Sequence, residues 1–305
     1  MLRVAVMGQA AFGEAVLQRL KADGATVVGV SAPEPSEGRV DPLWTAGEAE
    51  GIPVVATASL TMPESLTRWK ELDADVCAMA FVTDFLPSEV FAIPRHGTIQ
   101  YHPSLLPAHR GQSAMNWAII NRETETGLTV FWPDEGIDTG PVLLQRSCPI
   151  GPEDTVGSLY FDHLYPMGVD AVAEAVALVA SGDAPSVAQD HTRATYEPPC
   201  GERHGEIRWY EPAPWVYARI RGCNPQPGAW TRYEDGKVRI YDSHLTGEQS
   251  AGMPGKVLDI DEQGFSVRLN GDVLRVLRVR PDGARKMSAG EWSAQVSLTP
   301  GFRFR

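Results

Sequence analysis

The stretch Leu2-Arg-Val-Ala-Val-Met-Gly-Gln-Ala-Ala-Phe-Gly13 joins a short apolar run rich in valine to a turn of small residues. A buried strand entering a helix through a tight turn has this composition. Phe12, Ala15, Val16 and Leu20 then recur at helical spacing, and Ala25 to Val30 adds a second apolar run between Gly24 and Gly29. Further strands are predicted at Pro53 to Ala56, Val76 to Phe81, Gly97 to Tyr101 and Gly127 to Trp132, with helical patterns around Glu64 to Leu72 and Ser113 to Asn121. This alternation predicts an α/β fold built on a doubly wound, mainly parallel sheet. The first turn lacks the middle glycine of GxGxxG, and Glu14-Ala15 stands where a P-loop has Lys and Ser or Thr. It reads as a structural turn, so no NAD, FAD or ATP site is predicted there.

Beyond the sheet, apolar residues from Thr155 to Ala180 predict a long helix across the first domain, bent or interrupted at Pro166. Ser181 to Gly205 is rich in Pro and Gly with almost no apolar periodicity, the composition of a linker. A short helix around Pro214 to Arg221 follows. Strand-like segments then run through Ala229 to Thr231, Lys237 to Tyr241, Gly255 to Ile260, Phe265 to Leu269 and Val273 to Val279, separated by turns such as Asp235-Gly236 and Asn270-Gly271. Short strands at this spacing predict a small, OB-like β-barrel. The expected organisation is a catalytic domain at 1–184, a linker at 185–205 and a barrel domain at 206–305.

A chain of 305 residues is long enough for two such cores, and 43% apolar with 22% charged residues excludes disorder. The 39 acidic against 27 basic side chains argue against a nonspecific nucleic-acid binder. The charge is uneven, −15 over residues 1–204 and +3 over the remainder. Cys77, Cys148, Cys200 and Cys223 show no CxxC spacing, and the chain opens into a strand without a charged leader. The expectation is a reduced, cytoplasmic protein. Glu174 interrupts the most apolar run, Ala171 to Ala180, so no membrane span is expected.

Two places carry the chemistry. His102 ends the strand-like run Gly97-Thr-Ile-Gln-Tyr-His102, and carboxyl ends of strands are where open parallel sheets meet ligands. The loop Pro133-Asp-Glu-Gly-Ile-Asp-Thr-Gly140 holds three carboxylates and two glycines after the strand at Gly127 to Trp132. One reading is a solvated acidic turn. The other sets Asp138 against His102 across the carboxyl ends of adjacent strands, where a carboxylate would orient the imidazole for acid-base work. His96, His109, His163, His191, His204 and His244 show no HxxxH or HExxH spacing, so no metal is predicted. Ser104 lacks a GxSxG elbow and is read as shaping the turn after His102; Cys223 is read as buried packing.

The run His102-Pro-Ser-Leu-Leu-Pro107, then Arg110-Gly111, then Asp138-Thr-Gly140, resembles the signature of formyltransferases that use 10-formyltetrahydrofolate. The likeness continues through Arg221-Gly-Cys-Asn-Pro-Gln-Pro-Gly-Ala-Trp230 and Val279-Arg-Pro-Asp-Gly-Ala-Arg-Lys286, so it covers essentially the whole chain. Within the family, Tyr101 to Pro107, Asn116-Trp117 and Phe131-Trp-Pro-Asp-Glu-Gly136 are similar to the hydrolase domain of 10-formyltetrahydrofolate dehydrogenases, and the two-domain plan more distantly to methionyl-tRNA formyltransferases. The dehydrogenases' aldehyde dehydrogenase domain has no counterpart here, so neither that activity nor NAD is carried over. The transferases place Asn two residues before the histidine and the dehydrogenases an apolar residue; this chain has Gln100, which keeps the amide on a longer side chain.

The resemblance implies a mechanism without metal. Folate would lie in the first domain, its pterin bonded to backbone near Phe85, Leu86 and Pro87 and to the loop of Asp134, Glu135, Gly136 and Ile137. His102 and the amide of Gln100 would stabilise a tetrahedral oxyanion, while Asp138 holds a water that moves the proton to the departing folate nitrogen. The acceptor stays open between a small amine, water (a hydrolase) and tRNA, and a silent folate-binding module is the reading outside catalysis. The loop Pro33-Glu-Pro-Ser-Glu-Gly-Arg-Val-Asp41, three acids against one arginine, weighs against tRNA, whose transferases characteristically carry a basic loop there.

Overall fold

The computed structural model describes residues 2–305. From the N-terminus the chain forms β1 (Arg3–Gly8), α1 (Ala10–Ala22), β2 (Thr26–Ala32), α2 (Pro42–Ala49), β3 (Val54–Ala56), α3 (Pro63–Glu71), β4 (Val76–Ala80), α4 (Ser88–Phe91), β5 (Thr98–His102), α5 (Ala114–Ile120), β6 (Glu125–Phe131) and β7 (Val142–Pro149). These seven strands make one sheet in the order β3-β2-β1-β4-β5-β6-β7. The pairs from β3 to β5 are parallel, whereas β6 runs antiparallel to β5, with Gln100 opposite Phe131 and His102 opposite Thr129. Strand order reverses at β1, where α1 begins, as in doubly wound sheets.

The opening turn is structural in detail. Gly8 closes β1 where a Cβ would lie 2.2 Å from the carbonyl oxygen of Ala80, and Gly13 packs where a Cβ would meet Leu43 at 2.9 Å. Both glycines answer to close packing of strand and helix. One face of the sheet buries Val4, Val6, Val30, Ala78 and Ile99 under Phe12, Val16, Leu17 and Leu20 of α1. The other face packs Ala5, Met7, Cys77 and Met79 against Leu60, Trp69 and Val90. Burial drives the Cys77 thiol up to about 12, as expected of packing rather than reactivity.

The predicted long helix is present and interrupted. After α6 (Val156–Ser158) the backbone widens into a π-helical turn over Leu159–Leu164, and α7 (Tyr165–Ser181) begins with Pro166 in its first turn. Proline lacks the N–H that an α-helical continuation needs, so the wider turn precedes it. By length and composition alone Val156–Ser181 is long and apolar enough to cross a membrane, with a mean hydropathy of 1.3 over an 18-residue window, a property that buried core helices share. A single Glu174 does not remove that property. Ala171, Val172, Ala175, Val176 and Val179 of α7 lie in the core with α1 and the sheet, which accounts for their apolarity.

The second unit contains α5, α6, α8 (Ala213–Gly222), β8 (Ala229–Tyr233), β9 (Gly236–Ile240), β10 (Ser243–Leu245), β11 (Val257–Ile260), β12 (Phe265–Arg268), β13 (Val273–Val276), β14 (Arg278–Pro281), β15 (Met287–Ser288) and α9 (Ala289–Gln295). Its strands form two four-stranded sheets, β10-β13-β12-β11 and β15-β14-β9-β8, with antiparallel pairing. The predicted strand at Val273 to Val279 is two strands that turn a corner at Leu277, passing from one sheet to the other. Leu277 and Arg278 donate to the carbonyl of Asp242, and Tyr241 to that of Arg278, so hydrogen bonding continues round the corner. Both sheets share one core of Val238, Ile240, Phe265, Leu274, Val276 and Val279.

The Arg221-Gly-Cys-Asn run has a packing rationale. A Cβ on Gly222 would lie 2.6 Å from Ile120, Asn116 donates to the carbonyl of Gly222 at 2.8 Å, and Arg221 donates to that of Asp154 at 2.6 Å. The segment predicted as a linker is divided: residues through Glu197 cluster with the first unit and those from Pro198 with the second, which also takes 113–126 and 149–160.

Substituting Gly8→Ala inserts a methyl against a backbone carbonyl that cannot rotate away. It should destabilise the first unit by about 1 to 3 kcal/mol, read as a lower urea midpoint at unchanged slope.

Candidate active site

His102 is the last residue of β5 and only 6% exposed. Its Nε2 lies 2.9 Å from the carbonyl oxygen of His109. A carbonyl only accepts, so Nε2 carries the hydrogen and donates it. That leaves Nδ1 as the ring atom that can gain or lose a proton, and Nδ1 lies 3.5 Å from Oδ2 of Asp138, 8% exposed. The same oxygen accepts the Gly111 N–H at 2.8 Å. The structure thus brings His102 and Asp138 together.

The route is not the expected one. Because β6 is antiparallel to β5, the carboxyl end of β6 lies beside the amino end of β5, and Asp138 does not sit at the carboxyl end of a parallel neighbour. The loop after β6 brings the carboxylate to His102. Its base is closed by Trp132 N–H donating to Pro141 and by Gly140, where a Cβ would be 1.7 Å from the Trp132 carbonyl. Asp134 accepts from the Gly136 N–H at 3.0 Å and from the Thr139 hydroxyl, which folds the exposed tip. Asp138 takes a positive φ of 54°, a conformation that Asp tolerates better than most residues. The three carboxylates therefore separate: Asp134 shapes the loop, Glu135 is exposed and Asp138 is turned inward. Gly136 and Ile137 form the exposed tip between them.

Gln100 lies two residues before His102 in the same strand, so both side chains project from one face. Among the described residues Gln100 hydrogen-bonds to neither His102 nor Asp138. Tyr101 points the other way and packs on Phe12, ring centroids 4.6 Å apart. Phe85, Leu86 and Pro87 follow β4 at the same end of the sheet as His102. Phe85 is 79% exposed, Leu86 is buried with Trp69 and Val90, and Pro87 precedes α4. They make no hydrogen bond to His102 or to the 133–140 loop among the described residues.

The turn after His102 is held by polar pins. Ser104 donates to Ala108 at 2.6 Å, and the buried Thr129 hydroxyl donates to Ser104 at 2.7 Å while accepting from Leu106 N–H and from Gln145. The segment read as a linker supplies more. Gln189 donates to the carbonyls of Asp138 and Gly140 and accepts from Arg110; Thr195 holds the backbone of His109 and Arg110; Glu197 meets His109 Nδ1 at 3.2 Å. Ser104 has the turn-shaping part read for it from the sequence and Arg110 stands within the signature, whereas Thr129, Gln145, Gln189, Thr195 and Glu197 were not singled out. They act as isolated polar side chains on backbone groups, which leaves no periodic trace.

The formyl transferase family matches residues 2–166, and the formyl transferase C-terminal domain matches 201–297. The chain belongs to the formyl transferase family. It is 40% identical over 318 aligned positions to the mitochondrial 10-formyltetrahydrofolate dehydrogenase of Mus musculus, covering 98% of this chain and 34% of that protein. The chain thus spans about a third of the length of such relatives. It is 31% identical to the methionyl-tRNA formyltransferase of Citrifermentans bemidjiense over 98% of this chain and 95% of that one. Among solved structures, the N-formyltransferase of Helicobacter canadensis, crystallised with folinic acid and dTDP-3-aminofucose, superposes with a TM-score of 0.70 at 19% identity, covering 91% of this chain and 99% of that one.

Thr129→Val keeps the shape of a fully buried residue but removes the hydroxyl that satisfies three groups. Each partner left unpaired costs about 1 to 3 kcal/mol, so the variant should melt well below the parent in calorimetry, and Thr129→Ser should recover most of the loss.

Proposed function

We propose that this chain moves the formyl group of 10-formyltetrahydrofolate to a small amine at His102, Gln100 and Asp138. The observation that carries the reading is the imidazole whose Nε2–H is committed to the His109 carbonyl while Nδ1 faces a buried carboxylate. In that state Nδ1 is the atom that meets reacting groups. The acceptor nitrogen attacks the formyl carbon and the carbonyl electrons move onto oxygen. The oxyanion is stabilised by the Nδ1–H of protonated His102 and by the Gln100 amide, which projects from the same strand face. A water held by Asp138 carries the proton lost by the acceptor to N10 of the folate. The carbon–N10 bond then breaks with its electron pair on nitrogen, the carbonyl re-forms, and tetrahydrofolate and an N-formyl amine leave. Backbone at Phe85 to Pro87 and at Asp134 to Ile137 binds the pterin. No resident metal or NAD takes part in this scheme.

Support for folate comes from family membership and from the Helicobacter enzyme's complex with folinic acid. That enzyme's amino sugar supports a small amine. A second reading, hydrolysis with water as acceptor, draws on the 40% identity to 10-formyltetrahydrofolate dehydrogenases across 98% of this chain. For tRNA, the 33–41 loop remains unfavourable. Glu34 and Glu37 are exposed there, although Asp41 is engaged structurally, capping α2 and accepting from Ala10 N–H.

Incubation with 10-formyltetrahydrofolate, alone and with a panel of amino sugars and amino acids, separates the readings by following tetrahydrofolate and formate. Amine-dependent turnover is the expected result. Formate release without amine assigns the hydrolase, turnover only with methionyl-tRNA assigns that transferase, and binding without turnover a silent module. His102→Ala or Asp138→Ala should each lower turnover by about a hundredfold to a thousandfold; near-normal rates in both would remove these residues from the reaction.

A further inference from the structure

Arg110 is 3% exposed, and no carboxylate among the described residues lies within ion-pairing distance of its guanidinium. Its partners are neutral: the Tyr196 hydroxyl, the Tyr196 ring with its centroid 5.2 Å away, His191 Nδ1 at 3.1 Å and Gln189 Oε1 at 2.6 Å. Burying a cation without a counter-ion is unfavourable, so these bonds, all made by the two terminal nitrogens while Nε has no partner, carry its burial. The most consequential is the one to Gln189. With its oxygen fixed by a cationic donor, the Gln189 amide has one orientation, and Nε2 points at two acceptors, the carbonyls of Asp138 at 2.9 Å and Gly140 at 2.7 Å. A flipped amide would set its oxygen against both carbonyls.

Three consecutive residues therefore govern the His102–Asp138 pair. His109 takes the Nε2 hydrogen of His102 through its carbonyl, Gly111 gives its N–H to the Asp138 carboxylate, and Arg110 between them grips the Asp138 main chain through Gln189. We propose that Gln189, oriented by Arg110, is a positioning residue that holds the Asp138 carboxylate against His102. It touches neither the imidazole nor the carboxylate and acts through the backbone of the 138–140 turn. This rests on the proposed role of Asp138 only for its effect on rate; its effect on geometry stands apart from that reading.

The substitution that isolates the relay is Gln189→Glu. A glutamate keeps the size of the side chain and can pair with Arg110, but it replaces the donor shared by Asp138 and Gly140 with a carboxylate oxygen that repels both. The expected result is a fall in kcat of about tenfold to a hundredfold, exceeding any rise in KM for 10-formyltetrahydrofolate. In an Asp138→Ala background the same change should have almost no further effect on kcat, because a residue acting through Asp138 has nothing left to position. A merely structural role would lower activity by the same factor in both backgrounds. The second readout needs no turnover: the Gly111 amide, which donates to the Asp138 carboxylate, should move in the nitrogen–proton NMR spectrum and exchange with solvent at least about tenfold faster. Should Gln189→Glu lose its cooperative melting transition, Gln189→Asn, one methylene too short to reach both carbonyls, takes its place. Wild-type-like kcat, equal losses in the two backgrounds, or an unchanged Gly111 amide would each overturn the proposal. Inactive wild-type protein with a displaced Gly111 amide in the variant would count against formyl transfer and leave the relay standing.

Discussion

The hydrogen bond from His102 Nε2 to the carbonyl of His109 is the constraint on which the site depends. It fixes the ring's plane and tautomer and leaves Nδ1 facing the Asp138 carboxylate. For that to hold, the intervening chain must return its carbonyl to the ring within seven residues. The turn achieves this with side-chain pins rather than with helix or sheet. Thr129, Gln145 and Ser104 satisfy backbone groups that no ladder reaches. A net hydrogen bond adds only about 1 kcal/mol, while a buried unpaired group costs more. The pins thus select this conformation against alternatives more than they add stability.

The antiparallel β6 has a second consequence. A parallel strand would have delivered its following loop to the carboxyl end of β5, beside His102. With β6 reversed, the loop has to carry Asp138 to the imidazole by its own fold. Local chemistry answers this: Asp134 ties the tip, Gly140 admits the Trp132 carbonyl, and Asp138 accepts a positive φ. A loop so shaped depends on anchors outside itself, which is why residues distant in sequence, Arg110 and Gln189, bear on its carboxylate.

Much of this was legible in the sequence, and the parts that were not share a cause. The strands of the large sheet announce themselves as apolar runs, and His102 by ending one. The direction of β6 leaves no trace in its own residues, since a buried strand reads the same either way. β10 and β15, of three and two residues, are too short for a period to register, and the break at Leu277 is hidden because the repeat Val-Leu-Arg-Val-Leu-Arg-Val of 273–279 runs through it without a turn residue. The 185–205 segment was read by composition as a linker, yet Val187 pairs with Val142 and Tyr196 with Arg110. Prolines there exclude regular structure without excluding attachment, and Gln189 or Thr195 attaches through single hydrogen bonds that no pattern records.

A direct ion pair between Arg110 and Asp138 would have been the simpler way to hold a carboxylate. It would also have committed the carboxylate's lone pairs, since guanidinium and carboxylate favour two parallel hydrogen bonds. By acting on the main chain through a neutral amide, Arg110 fixes where Asp138 sits and leaves its oxygens to other partners. Only Oδ2 is used by the described residues, for the Gly111 N–H and the approach to His102. Oδ1 keeps its lone pairs for the water that the proposed proton transfer needs. Lysine could not replace the arginine in this arrangement, because a point charge with tetrahedral donors lacks the planar fork that reaches Gln189 and Tyr196 from two separate nitrogens. The buried cation is thus explained by geometry: it supplies orientation to the 138–140 turn without occupying the oxygens of Asp138.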